Sequence, residues 1–253
     1  MCLILFAYRQ HADHPLILIA NRDEYYARPA RAAHWWDDAD IFGGRDLEAG
    51  GTWLGLDRRG RLAAVTNVRE PGNPGPGSRS RGELTRNFLA GSIGAEAYLR
   101  QLNTRGREYA GFNLLLGEPD KLWFYSNREH RIRSIEPGVY GISNGAFDES
   151  WPKLDSGKAE LTDLLAGSID ATGLMNILAD RSIAEDHELP STGVPLDVER
   201  MLSSRFVRSP EYGTRACSAV IYDSNERIRF YERNYVDGEP GKRIEASFEV
   251  TPA

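Results

Sequence analysis

Two apolar runs near the start of the chain decide its fold: Cys2-Leu3-Ile4-Leu5-Phe6-Ala7-Tyr8 and Leu16-Ile17-Leu18-Ile19-Ala20, the second followed at once by Asn21-Arg22-Asp23-Glu24. Each run is continuously apolar rather than alternating, the pattern of a strand buried on both faces, and the His/Asp/Pro-containing link between them reads as a turn. They predict a hairpin in the middle of a core. Its first residue also carries chemistry. Removal of Met1 would leave Cys2 with a thiol and an α-amine on one residue, and methionine is commonly trimmed before a residue as small as Cys. The amine titrates near ~7.7–8 and the thiol near ~8.5, so one residue would supply both general base and nucleophile. The plain alternative is a small buried hydrophobe that opens a strand. No basic residue precedes the first run, and Arg9, His11 and Asp13 soon interrupt it. It therefore reads as neither a secretory signal nor a membrane span.

Outward from that hairpin, residues 52–56 and 62–66 predict a second one across the Asp57-Arg58-Arg59-Gly60 turn. Residues 71–80, with three Pro and three Gly, can continue neither strand nor helix and are long enough to form a flap. Helical apolar spacing follows at 83–89 and 95–102, strand-like segments at 112–116, 122–125 and 139–142, amphipathic helices at 151–165 and 171–179, and closing strands near 219–222, 228–231 and 246–250. Strands and helices in blocks favour two layers of sheet flanked by helices, an α+β architecture, over a doubly wound parallel sheet.

A chain of 253 residues with 41% hydrophobic content suits one core, and a single domain over residues 1–253 is expected. A net charge of −6 offers no general attraction to nucleic acid or anionic membrane. Cys2 and Cys217 are far apart, and the five histidines have no metal-ligand spacing, so neither a disulfide framework nor a metal site is expected. These features predict a soluble, cytoplasmic protein without a cofactor and without stable membrane insertion.

The polar candidates sit where apolar segments end. Asn21-Arg22-Asp23-Glu24 would emerge beside the start of the strand that carries Cys2. An arginine there favours thiolate, and a carboxylate orients an α-amine; the alternative is a polar turn with an exposed ion pair. Asn67 and Asn144 each follow an apolar stretch and carry amides that can donate to an oxyanion, although Asn at a strand end is also a common turn former. Arg215 could clamp a carboxylate or phosphate, or form a surface ion pair. Gly50-Gly51-Thr52-Trp53 puts bare backbone before an aromatic wall, which suits a pocket or a tight turn. Asn21, Glu24, Trp53 and Arg69 are the candidates for substrate contact, and Cys2, Arg22, Asp23, Asn67, Asn144 and Arg215 for catalysis.

Seven pieces in order carry a resemblance: Met1-Cys2, Ala20-Asn21-Arg22-Asp23-Glu24, Gly50-Gly51-Thr52-Trp53, Thr66-Asn67, Ser80-Arg81-Gly82-Glu83-Leu84, Ser143-Asn144-Gly145 and Gly213-Thr214-Arg215. In this pattern the chain resembles the NRDE family, whose eukaryotic branch is called transport and Golgi organisation protein 2. The resemblance runs from the first residue to about Tyr231. It implies a four-layer αββα sandwich of two antiparallel sheets, of the N-terminal nucleophile (Ntn) hydrolase type. Members of the family are linked to Golgi organisation, lipid and acyl-coenzyme A metabolism and haem trafficking. The chain is more distantly similar to the choloylglycine hydrolase and penicillin V acylase group of cysteine amidases. Carried over by residue, that similarity makes Cys2 the nucleophile, assigns the group's arginine and aspartate to the 21–24 region and its two asparagines to Asn67 and Asn144, and its late arginine to Arg215. One departure stands out. The amidases separate their Arg and Asp by two residues, whereas Arg22 and Asp23 are adjacent and would point to opposite faces of an extended segment.

The resulting expectation is a cysteine Ntn hydrolase that cleaves a linear amide or (thio)ester acyl bond in a small molecule. The alternative is a non-enzymatic binder or carrier of haem or an acyl cofactor on the same scaffold. For an interaction protein of membrane traffic, the sequence has no amphipathic anchor or lipidation motif.

Overall fold

The structure is a computed structural model that describes residues 2–71, 79–118 and 121–251. Most of the predicted flap, residues 72–78, lies outside the described residues. In chain order the elements are β1 (Cys2–Tyr8), β2 (Leu16–Tyr25), β3 (Ala30–Trp35), β4 (Phe42–Asp46), β5 (Leu54–Leu56), β6 (Leu62–Asn67), α1 (Gly82–Ala90), α2 (Ala95–Asn103), β7 (Phe112–Glu118), β8 (Lys121–Ser126), β9 (Arg131–Ser134), β10 (Gly138–Ile142), α3 (Pro152–Leu165), α4 (Ala171–Leu178), α5 (Leu196–Ser203), β11 (Tyr212–Tyr222), β12 (Arg227–Val236) and β13 (Glu239–Glu249). The strands form two antiparallel sheets, ordered β10-β1-β2-β11-β12-β13 and β3-β4-β5-β6-β7-β8-β9.

Side-chain alternation explains why the opening runs are apolar throughout. Along β1, Ile4, Phe6 and Tyr8 enter the layer between the sheets, where they meet Phe42, Phe124 and Phe230. Leu3, Leu5 and Ala7 point the other way, into a second core shared with Leu161 of α3 and Leu178 of α4. β2 divides its side chains in the same manner, Leu16 and Leu18 inward, Ile17 and Ile19 outward. On the far side of the molecule, α1 and α2 cover the second sheet through Phe88, Leu99, Phe112 and Leu114. Helices, sheet, sheet and helices thus make four layers, the expected αββα sandwich of α+β class.

Three features differ from the sequence reading. β2 does not end at Ala20 but continues through Asn21-Arg22-Asp23-Glu24 to Tyr25, because β1 and β11 flank it and satisfy its backbone groups. The tetrapeptide is therefore strand, not turn. β3, β4 and β9 are additional strands, and α5 is an additional helix. Phe42-Gly43-Gly44-Arg45-Asp46 shows how a segment with little strand propensity becomes one: its pairing partners β3 and β5 impose the conformation.

Candidate active site

The antiparallel register places Cys2 directly opposite Arg22, so the two side chains share the face that looks between the sheets. There the inter-sheet layer opens into a cavity of about 270 Å³. Cys2, Arg22, Asp23, Glu24, Trp53 and Asn67 line it, and Arg28, Asp46, Arg79, Arg81 and Gly82 join them. Strands of both sheets and the start of α1 therefore converge on one thiol.

Cys2 is half-buried. The Asp23 amide N–H donates to its sulfur, and the Ser143 hydroxyl donates to its carbonyl at 3.2 Å. Burial pushes the thiol pKa up and the Asp23 charge adds to this, while Arg22 and the Asp23 amide oppose it. Arg22 thus favours thiolate, as expected of an arginine beside the cysteine, but burial outweighs it and the thiol pKa is raised. Arg22 is 5% exposed; its Nη2 reaches Asp46 Oδ2 at 3.4 Å and its guanidinium lies 4.4 Å from the Trp53 ring centroid. Asp46 is held mainly by Arg28, whose Nε donates to it at 2.6 Å. Burial works against ionisation of Asp46, but the hydrogen bonds from Arg28 and the Ala49 amide prevail and its pKa falls.

Adjacent residues of an extended strand diverge, and Arg22 and Asp23 do so. The Asp23 carboxylate accepts from the Thr214 hydroxyl at 2.7 Å, and its carbonyl accepts from the Tyr212 hydroxyl at 2.9 Å. Burial raises the Asp23 pKa against the opposing charges of Lys153 and Arg22. Lys153, itself buried, donates to the Leu202 carbonyl at 2.9 Å. Desolvation lowers its pKa to about 8, with Asp23 resisting.

The other sequence candidates do not line this cavity. Asn21 points to the helical face and donates to the carbonyls of Leu178 and Arg205 at 2.9 and 2.8 Å, so it ties β2 to the end of α4. Asn144 donates through Nδ2 to the Asn67 carbonyl at 2.8 Å. The expected pair of oxyanion amides thus becomes one residue on the cavity and one that bonds to its backbone. Arg69 is buried against Glu199 at 2.6 Å and lies 5.3 Å from the Trp151 ring centroid. Arg215 is the extra residue of a β-bulge between Thr214 and Ala216, and its Nη1 donates to the carbonyls of Tyr25 and Arg28. Sequence reasoning did not single out Lys153, Asp46 or Arg81. Arg81 carried a signal, because it lies in the quoted Ser80-Arg81-Gly82 motif. Lys153 carried none. Among the described residues no group of three or more His, Cys, Asp or Glu side chains is placed to hold a metal ion, and no helix is long and apolar enough to cross a membrane.

Comparison with solved structures defines the class. The chain is similar over its full length to a mutant conjugated bile acid hydrolase from Clostridium perfringens (TM-score 0.51, 11% identity, 100% of this chain and 98% of that one). It is also similar to a Caenorhabditis elegans N-acylethanolamine-hydrolyzing acid amidase orthologue (TM-score 0.50, 8% identity, 87% and 92% covered). At these identities the likeness establishes the fold, that of the Ntn hydrolases. The sequence comparison narrows it. The chain belongs to the Transport and Golgi organisation 2 family, whose model matches residues 1–237. Its relatives include the Transport and Golgi organization 2 homologues of Mus musculus, 32% identical, and Homo sapiens, 33% identical, each alignment covering 99% of both chains.

Proposed function

We propose that this protein is a cysteine Ntn hydrolase of a small-molecule amide or acyl (thio)ester. The observation that carries the reading is the position of Cys2, first residue of a core strand, opposite Arg22, and lining a cavity in a hydrolase-type fold. Once Met1 is removed, the α-amine of Cys2 takes the thiol proton. The sulfur attacks the acyl carbonyl, the C–N, C–O or C–S bond breaks, and the leaving group departs with that proton. Water then hydrolyses the thioester and restores the thiol. Arg22 and Asp23 hold the thiol and amine, and Asn67 donates to the oxyanion. Asn144 acts through the Asn67 backbone as a positioning residue. Trp53 and Val65 offer apolar surface to the acyl chain. A reducing, cytoplasmic setting is part of the proposal and agrees with two free cysteines.

A second reading is a cavity that binds haem or an acyl cofactor without turning it over; burial, by raising the Cys2 pKa, leaves less of the nucleophilic thiolate. Intact mass of mildly expressed protein, followed by screening of acyl amides and thioesters, separates the two. Loss of one methionine with turnover that disappears in Cys2→Ala supports the hydrolase; turnover that survives Cys2→Ala removes it. Retained Met1, an inert Cys2 and saturable haemin or acyl-ligand binding would instead support the carrier.

A further inference from the structure

The cavity's charge is not balanced by its own residues. Four arginines line it, Arg22, Arg28, Arg79 and Arg81, against three carboxylates, Asp23, Glu24 and Asp46. Three of the arginines are committed to carboxylates: Arg28 to Asp46 and Glu48, Arg79 to Glu83 and Glu108, and Arg22, through Nη2 at 3.4 Å, to Asp46. Arg81 is not. Its Nη1 donates to the Gly111 carbonyl at 3.2 Å, and among the described residues it forms no ion pair. Burial disfavours its charge, which the Glu24 and Glu70 carboxylates only partly offset. Arg22 is only half engaged: the side chain is 5% exposed and Nη2 reaches Asp46, yet Nη1 has no hydrogen-bond partner among the described residues. A buried guanidinium N–H without an acceptor is costly unless something supplies one. The third contribution is a dipole. α1 begins at Gly82, on the cavity wall, and although the Glu83 and Leu84 amides are taken by the Ser80 and Arg81 carbonyls, no side-chain carboxylate caps the positive end.

We propose that the site takes an anionic substrate, one whose carboxylate or phosphate group is held by Arg81, Arg22 and the N-terminus of α1 while its acyl carbonyl reaches Cys2. This rests on the hydrolase reading for the acyl bond, but the anion subsite is testable without turnover. Guanidinium forks match the paired oxygens of either group; an ammonium would be repelled by both arginines, and a neutral amide would supply one acceptor but no charge to Arg81.

Two alkylating reagents of similar size, iodoacetate and iodoacetamide, probe the subsite at the thiol itself. Both react with the same thiolate, so the ratio of their rates at Cys2 cancels any change in thiol pKa and reports the local preference for negative charge. The wild-type ratio should exceed that of a short cysteine peptide. Arg81→Met should lower it by about 5–10-fold, Arg81→Lys should keep most of it, and added salt should compress the difference. A second arm measures Tm in acetate, phosphate and chloride at matched ionic strength. The anion that fits should raise Tm in wild type and not in Arg81→Met, which tells a carboxylate site from a phosphate site. A wild-type ratio equal to that of the peptide, or one unaffected by Arg81→Met, overturns the proposal. If neither reagent labels Cys2, equal Tm values across the three salts overturn it instead. A protein that retains the Arg81-dependent preference but hydrolyses no acyl substrate loses the hydrolase reading and keeps the anion subsite.

Discussion

At Cys2, consecutive residues on β2 act with opposite signs on one thiol. Arg22 lowers its pKa and Asp23 raises it. Arg22→Met should therefore move the midpoint of the pH–rate profile for Cys2 alkylation upward, and Asp23→Asn should move it downward. Shifts in one common direction would show that burial changes, not charge, govern the thiol. Lys153 offers a test through stability. Its folded-state pKa, about 8, lies below the ordinary value of 10.5, so between these pH values the unfolded chain binds more protons and the Lys153 contribution to stability rises with pH. The unfolding free energy of wild type minus that of Lys153→Met should accordingly increase from pH 7.5 to 10.5, by on the order of 1–3 kcal/mol. Denaturant titrations of both proteins across that range would check it, and a constant difference would mean that Lys153 is not depressed. No sequence signal marked this residue, because a lysine in the first turn of an amphipathic helix reads as solvated; only the packing of α3 beneath β1 buries it.

Glycine and asparagine position whole elements here. Gly51 lies so close to the backbone of Gly82 that an added Cβ would fall inside contact distance, and the Thr52 amide donates to the Gly82 carbonyl at 3.1 Å. The segment before β5 is thereby fastened to the start of α1, where Arg81 enters the cavity. Gly51→Ala should cost about 1–3 kcal/mol in a melting experiment, because the clash is with backbone that cannot rotate away. Asn21 fastens β2 to α4. Asn21→Ala leaves two buried carbonyls without their donor and should cost about 2–3 kcal/mol. The helical blocks and the two hairpins were legible from apolar periodicity. β3 and β4 were not, since Ala-rich and Gly-rich segments take their conformation from the strands beside them.

Across the whole molecule, the cavity lies where the two sheets are joined by hydrogen bonds as well as by apolar packing. The Thr66 hydroxyl, on β6, donates to the Ser143 carbonyl just after β10 at 2.6 Å. The Arg69 amide donates to the Asn144 carbonyl, and Asn144 Nδ2 returns a bond to Asn67. Asn144→Ala removes one of these links without touching the cavity wall. It should lower stability by about 1–2 kcal/mol and, if turnover is found, reduce kcat more than it changes KM, because Asn67 loses its position rather than its contact with substrate. Equal loss in Asn144→Ala and in a distant core variant of similar stability would reduce Asn144 to a structural role.

The sequence by itself determined the sandwich, because an apolar run on β1 and β2 can be buried on both faces only between two covering layers, and the seven ordered motifs resemble one family throughout. It also indicated Cys2, Arg22, Asp23, Glu24, Trp53 and Asn67 as residues worth bringing together. Only the tertiary structure decided which of them meet. Register sets Cys2 against Arg22, alternation along β2 turns Asn21 toward α4 and Asp23 toward Thr214, and the β11 bulge commits Arg215 to backbone carbonyls. The charge state of the thiol was likewise beyond the sequence, because desolvation depends on how deeply the strand end is covered, and that depth comes from the packing of the two sheets and α1 around it.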